Sequence, residues 1–178
     1  VCIVFLAGVA GFTMQHKGLG ATGTAITTDR NFFGVLTVWE RHPENPEKHH
    51  FIMQHGVTNH GIQFADPSKR SLPTAYFGYK SGVARAIDNL PKKQNRRVGI
   101  VGLGVGAIAA YSEQGDHYTY YEINPEVIAQ AKQYFTYLSD SEARVDVVLG
   151  DARLSLERQP SQQFDLLVLD AFTSDAIP

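Results

Sequence analysis

Cysteine, tryptophan and net charge are all scarce in this chain of 178 residues. The single cysteine, Cys2, excludes an intramolecular disulfide and is typical of a protein from a reducing compartment. A formal net charge of −2 argues against a nucleic-acid-binding surface. The chain has no apolar run of the twenty or so residues that span a bilayer. Because 43% of its residues are hydrophobic, and because it contains no internal repeat, we expect one sizeable core.

Glycine is concentrated after one apolar segment, residues 97–106, which reads RVGIVGLGVG. A β-branched run that breaks into alternating glycines is typical of a buried parallel strand that leads into a helix and leaves its backbone open to a ligand. We therefore expect Gly102, Gly104 and Gly106 to line a ligand site, with free N–H donors at a helix that begins near Ala107. Glycines alone are a weak signal, since tight turns in any α/β protein also use them.

The order of the following segments strengthens this interpretation. Glu122 lies at the end of a second predicted strand, Asp151 follows a third, and Asp170 ends a fourth. In an open α/β sheet, ligands bind beyond the carboxyl ends of the strands, so these side chains should converge on one crevice. Glu122 is placed to accept the two hydroxyls of a ribose, Asp151 to accept an exocyclic amine, and Asp170 to lie near the reacting centre.

Several carboxylates around one crevice favour a cationic ligand over a phosphorylated one. The common cationic nucleosides are the sulfonium S-adenosylmethionine and its decarboxylated form. The sequence therefore predicts a site for one of these two molecules as co-substrate.

Three motifs in this order resemble the spermidine synthase family of aminopropyltransferases. They are EINP at residues 122–125, GDA at 150–152 and FDLLVLDAFTSD at 164–175. They are most similar to a bacterial spermidine-synthase-like branch, which is often fused to a membrane segment, and the resemblance covers residues 31–178. It implies an α/β, Rossmann-like fold of S-adenosylmethionine-dependent transferases, of which this chain would contain the first four strands.

The resemblance also implies roles for individual residues. Glu122 would bind the ribose, Asp151 the adenine, and Asp170 would deprotonate the attacking amine. Asp175 would be a second carboxylate in the acceptor pocket, although an N-cap or turn role in TSD fits it equally. Tyr79 would bind substrate at the position of the family's tyrosine. Independently of the resemblance, we interpret Gln63, near His60, as a substrate-binding residue of the cleft wall.

Two positions depart from the family pattern. Val105 stands where spermidine synthases carry an acidic residue that holds the aminopropyl ammonium. Tyr79 is followed by Lys80, where the family has a tyrosine–glutamine pair, and a lysine beside a diamine would repel it. Both departures put a polyamine substrate in question.

The chain divides into three predicted parts. Residues 1–30 begin with an apolar segment, read either as a buried strand or, following the resemblance, as the tail of a membrane region. Residues 31–66 alternate in short apolar runs and predict a small antiparallel β unit. Residues 67–178 form the predicted nucleoside-binding domain, expected to be C-terminally truncated.

Four histidines fall close together, at positions 49, 50, 55 and 60. Adjacent strand residues such as His49 and His50 point to opposite faces, and no acidic or cysteine ligand lies among the four. We therefore expect no metal site, and we interpret these histidines as turn residues, with His60 as a candidate for the cleft wall.

The sequence thus predicts a transferase that moves an aminopropyl group from decarboxylated S-adenosylmethionine to a small amine. A methyltransferase that uses S-adenosylmethionine on the same fold, or a nucleoside-binding domain without catalysis, remain as alternatives. A homodimer is expected, with a cytoplasmic location or attachment to the inner membrane.

Overall fold

The computed structural model describes residues 23–91 and 95–171, which form two four-stranded sheets. The predicted α/β, Rossmann-like class with an added antiparallel β unit is confirmed. In the described part of the chain no helix has the length and apolarity needed to cross a membrane. The apolar segment at residues 1–12 lies outside the described residues.

The first sheet is an antiparallel meander in the order β1-β2-β3-β4. Its strands are β1 (Thr24–Asn31), β2 (Gly34–Arg41), β3 (His50–His55) and β4 (Thr58–Phe64). Strand β1 begins seven residues before the position 31 at which we expected this unit to start, because residues 24–31 pair with β2 along their whole length. The alternating pattern was visible only in the later strands, and β1 is mostly exposed.

The second sheet is entirely parallel, in the order β7-β6-β5-β8. Its strands are β5 (Arg97–Val101), β6 (His117–Glu122), β7 (Arg144–Leu149) and β8 (Leu166–Leu169). Strand order reverses at β5, so the carboxyl ends of β5, β6 and β8 surround a topological switch point, where such sheets bind ligands.

Within the described residues, three α-helices connect or cover the strands: α1 (Gly82–Asp88), α2 (Pro125–Tyr134) and α3 (Ala152–Arg158). Each begins at a side chain that accepts a hydrogen bond from a backbone N–H of the first turn. The capping residues are Ser81, Asn124 and Asp151. Two of these capping residues, Asn124 and Asp151, lie just after the ends of strands β6 and β7.

The expected helix after the glycine run is a five-residue 3₁₀ helix, Ala107–Tyr111. The N–H of Ala109 in its first turn donates to the carbonyl of Gly106 at 2.9 Å and is therefore already satisfied within the turn. The expected row of free N–H donors on a longer helix is thus replaced by a tight, buried turn.

The two sheets share one hydrophobic core, and they are in tight contact at Gly61 and Val105. A Cβ atom on Gly61 would lie 2.3 Å from Cγ2 of Val105, whose side chain is completely buried. The carbonyl of His60 accepts a 3.3 Å hydrogen bond from the N–H of Val105. Strand β4 is therefore held against the glycine run after β5 by side-chain packing and by a backbone hydrogen bond.

Candidate active site

A cavity of about 900 Å³ opens at the carboxyl ends of the parallel strands. This volume lies at the upper end of the usual range for small-molecule sites, about 300–1,000 Å³. Its floor comes from residues that follow β5, β6, β7 and β8, and its outer wall from the antiparallel sheet. The predicted site residues that line it are Gly102, Gly104, Glu122, Asp151 and Asp170.

The glycine run is tightly packed against the protein itself. Gly102 and Gly104 have φ angles of 95° and 52°, in the region that favours glycine. A Cβ on Gly102 would lie 2.4 Å from the carbonyl oxygen of Asp170, and one on Gly104 would lie 2.5 Å from that of His60. Gly106 faces Leu138 and does not line the cavity. These glycines bring three backbone segments together at the cavity floor.

Glu122 is held in place by two backbone donors. Its Oε2 accepts a 3.0 Å hydrogen bond from the N–H of Leu103, and its Oε1 accepts a 2.9 Å bond from the N–H of Asn124. The carboxylate is 9% exposed and faces the cavity. Each oxygen keeps a second lone pair, which is what two vicinal hydroxyls require.

Asp151 has a structural role as well as a place in the cavity wall. Its Oδ1 accepts a 2.8 Å hydrogen bond from the N–H of Leu154, which caps helix α3. The other carboxylate oxygen is free of this bond and can accept from a ligand amine.

Asp170 follows β8 and its carboxyl group is half-buried. Burial raises its pKa to about 6, since the charged form loses solvation there. Its N–H donates to the carbonyl of Val101 at 2.9 Å, which continues the pairing of β8 with β5. A carboxylate with a raised pKa in a cleft is typical of a proton-transfer group.

Tyr76 lies in the same cavity and was missed by the sequence analysis. Burial, and then the nearby charge of Asp170, raise the pKa of its phenol to about 12, so the hydroxyl stays neutral. Tyr79, which we expected in this wall, is 65% exposed, stacks edge-on against Tyr111 and does not line the cavity. Tyr76 is the middle residue of a 3₁₀ turn, Ala75–Phe77, and Tyr79 follows two residues after that turn. The sequence carries no signal that distinguishes them.

Gln63 also lies outside the cavity lining. Its side chain donates to the carbonyl of Arg70 at 2.9 Å and accepts from the N–H of Thr136 at 2.8 Å. These bonds satisfy a buried amide and join β4 to the segment after α2. Asp175, the remaining predicted substrate residue, lies outside the described residues.

Two histidines line the outer wall of the cavity. The rings of His55 and His60 lie 5.5 Å apart, and burial lowers the pKa of His60 to about 4, so this imidazole is neutral at pH 7. His49, by contrast, bonds Glu40 at 2.8 Å on the antiparallel sheet. Within residues 23–91 and 95–171, no three metal-ligating side chains come together.

A second feature that sequence reasoning missed is the β1–β2 turn, residues 31–34, which we call the aromatic turn. Phe32 and Phe33 stand edge to face with ring centroids 5.4 Å apart, and both line the cavity. The only sequence signal is a pair of phenylalanines at a two-residue turn that ends in glycine.

A parallel sheet in the order β7-β6-β5-β8, with carboxylates at the carboxyl ends of its strands, defines this chain as a Rossmann-like α/β domain. No family model matches the chain. Its sequence is 30% identical over 135 residues to a polyamine aminopropyltransferase of Vibrio vulnificus (strain CMCP6), an alignment that covers 72% of this chain and 42% of that protein. The chain thus spans less than half the length of this curated relative.

Solved structures show the same fold. Spermidine synthase from Thermotoga maritima matches with a TM-score of 0.56 and 13% identity, over 85% of this chain and 48% of that one. A probable spermidine synthase from Corynebacterium glutamicum ATCC 13032 matches with a TM-score of 0.64 and 16% identity, over 85% and 54%. The resemblance of this chain to the spermidine synthase family, predicted from its motifs, is confirmed.

Proposed function

We propose that this chain carries the donor site and the catalytic base of an aminopropyltransferase. The observation that supports this most directly is that one cavity holds Glu122, Asp151 and Asp170 at the ends of three strands. Glu122 binds the ribose of decarboxylated S-adenosylmethionine, and Asp151 accepts from its adenine amine. The similarity to a polyamine aminopropyltransferase supports the same assignment.

The chemistry requires a base because the acceptor is protonated at neutral pH. A free alkylammonium has a pKa near 10, whereas the pKa of Asp170 is about 6, so Asp170 is ionised and can accept a proton. The freed amine lone pair attacks the aminopropyl carbon next to the sulfonium. The C–N bond forms as the C–S bond breaks, and methylthioadenosine leaves as a neutral thioether. Close placement of amine and carbon supplies much of the rate.

One observation favours a second candidate function, methyl transfer from S-adenosylmethionine. Val105 is completely buried beneath Gly61, so this position offers the donor no carboxylate. A donor with an aminopropyl ammonium therefore lacks a charged partner at this point of the glycine run. A nucleoside-binding domain without catalysis remains the third reading.

The experiment that separates these functions uses both donors. Purified protein is incubated with decarboxylated or ordinary S-adenosylmethionine and a panel of primary amines, and the products are identified by mass. An added aminopropyl group supports the proposal, and an added methyl group selects the alternative. Nucleoside binding without either product identifies the non-catalytic domain.

We further propose a small amine as the acceptor, with Asp175 as a second carboxylate in its pocket. A homodimer is also proposed, with the exposed leucines of β8, Leu167 at 43% and Leu169 at 75% exposure, as its candidate contact. The lone cysteine supports a cytoplasmic location, and the apolar stretch at residues 1–12 supports a tether to the inner membrane.

A further inference from the structure

The aromatic turn presents an almost fully exposed phenylalanine at the cavity. The side chain of Phe32 is 96% exposed, although it lines the cavity together with Phe33. A phenylalanine that becomes covered buries about 150–250 Å² of surface. A large exposed aromatic ring beside a ligand cleft is therefore a candidate contact for the ligand.

The turn is held in a fixed position by hydrogen bonds. Asn31 accepts a 2.9 Å bond from the N–H of Phe33 through its Oδ1, and its Nδ2 donates to Oδ1 of Asn124 at 2.6 Å. The N–H of Asn124 in turn donates to the carboxylate of Glu122. A chain of three bonds thus connects the aromatic turn to the proposed ribose-binding carboxylate.

These bonds place the turn at the nucleoside end of the cavity. Ile123, between Glu122 and Asn124, is 47% exposed and also lines the cavity. Ile123 directly follows strand β6 of the parallel sheet, and Phe32 lies in the turn between β1 and β2 of the antiparallel sheet. Apolar surface is therefore available from both walls of the cavity. Asp170, proposed near the reacting centre, and the neighbouring Tyr76 come from other segments.

We propose that Phe32 stacks on the nucleobase of the bound donor, with its ribose on Glu122. This inference rests on the proposed function, since it needs a nucleoside in the cavity. An aromatic ring recognises any purine by its face, independently of the edge contacts made by Asp151. Phe32 would therefore contribute affinity for the base, and Asp151 the choice of base.

The test measures binding of methylthioadenosine by calorimetry to the parent protein and to three variants. Phe32→Ala should weaken binding about tenfold, because base–aromatic stacking is lost. Phe32→Trp should bind methylthioadenosine as tightly as the parent. Methylthioadenosine should also quench the fluorescence of this variant more than that of the parent, whose single tryptophan is Trp39. Val57→Ala is the matched control, since Val57 is 71% exposed at the neighbouring β3–β4 turn and does not line the cavity.

Methylthioribose, which lacks the base, should bind the parent and Phe32→Ala equally. Equal affinities of these two proteins for methylthioadenosine, or Phe32→Trp without added quenching, would overturn the stacking contact and leave nucleoside binding intact. Failure of the parent to bind methylthioadenosine would instead overturn the proposed function, and the stacking contact with it.

Discussion

Glu122 and Leu103 join neighbouring strand ends of the parallel sheet: Oε2 of Glu122 accepts a 3.0 Å hydrogen bond from the N–H of Leu103. The carboxylate therefore points at the cavity before any ligand arrives, and no side-chain entropy has to be lost on binding.

The first prediction concerns this carboxylate. Glu122→Gln should weaken methylthioadenosine binding by about 1.5–3 kcal/mol, because the charge is lost and one acceptor oxygen becomes an NH2 group that can accept neither from a ribose hydroxyl nor from the backbone N–H it faces. Calorimetry measures the effect, and Glu126→Gln, in the first turn of helix α2 and outside the cavity lining, is the control. Equal affinities for the parent and Glu122→Gln would remove Glu122 from the ribose site.

The second prediction concerns the proposed base. Asp170→Asn keeps the size of the side chain but cannot accept the amine proton, so turnover should fall by about 10²–10⁴. Affinity for methylthioadenosine should change little, which separates catalysis from binding. Asp88→Asn, on exposed surface of helix α1, is the matched control and should keep full turnover. Full activity in Asp170→Asn would exclude this base for either transferred group.

The third prediction links Asp170 to stability. Its pKa in the folded state, about 6, is above the ordinary value of 3.8, so the folded state is favoured at low pH and loses stability as the pH rises through 6. Asp170→Asn should not show this loss of stability at higher pH, because asparagine does not ionise. At pH 8 the variant should be more stable by about 1 kcal/mol, allowing for solvent screening of a half-buried group.

Thermal melting checks this effect. A gain of about 1 kcal/mol corresponds to a rise in Tm of about 2–4 °C for a domain of this size. The difference between variant and parent should shrink as the pH falls from 6 to 4. A constant difference across this range would show that the charge of Asp170 is not its cause.

The fourth prediction concerns the contact between the sheets. Gly61→Ala should destabilise the protein by about 2–4 kcal/mol, since the new Cβ meets the buried Val105 and the φ angle of 140° strains any L side chain. Gly82→Ala is the control, because a Cβ there meets nothing within 4 Å and the residue begins helix α1. Denaturant unfolding should show this control to be as stable as the parent or slightly more so.

The parallel sheet and its strand ends could be predicted because each strand has its own local signal. Gly102, Glu122, Asp151 and Asp170 follow apolar runs, and the rule for ligands at carboxyl ends places them together. Strand β1 was missed, and the β unit was predicted to start at residue 31, because β1 is largely exposed and carries no apolar alternation.

The outer wall of the cavity could not be predicted in the same way. Which of Tyr76 and Tyr79 faces inward depends on the conformation of a three-residue 3₁₀ turn, which has no periodic pattern. Gln63 and the aromatic turn are placed by hydrogen bonds to residues 73 and 93 positions away along the chain. Contacts of that kind exist only after the two sheets have met.

The seam between Gly61 and Val105 has a consequence for the way ligand binding and folding are coupled. The same glycine run forms the floor of the cavity and the buried face that β4 covers, with the carbonyl of His60 against Gly104. A nucleoside bound in the cavity would therefore contact the same glycine run that packs against β4. By mass action, a ligand at 100 times its Kd adds about 2.7 kcal/mol to the free energy of unfolding. Because the seam is shared, that increment stabilises the two sheets together, so ligand affinity and the free energy of unfolding should change in parallel across variants of the glycine run.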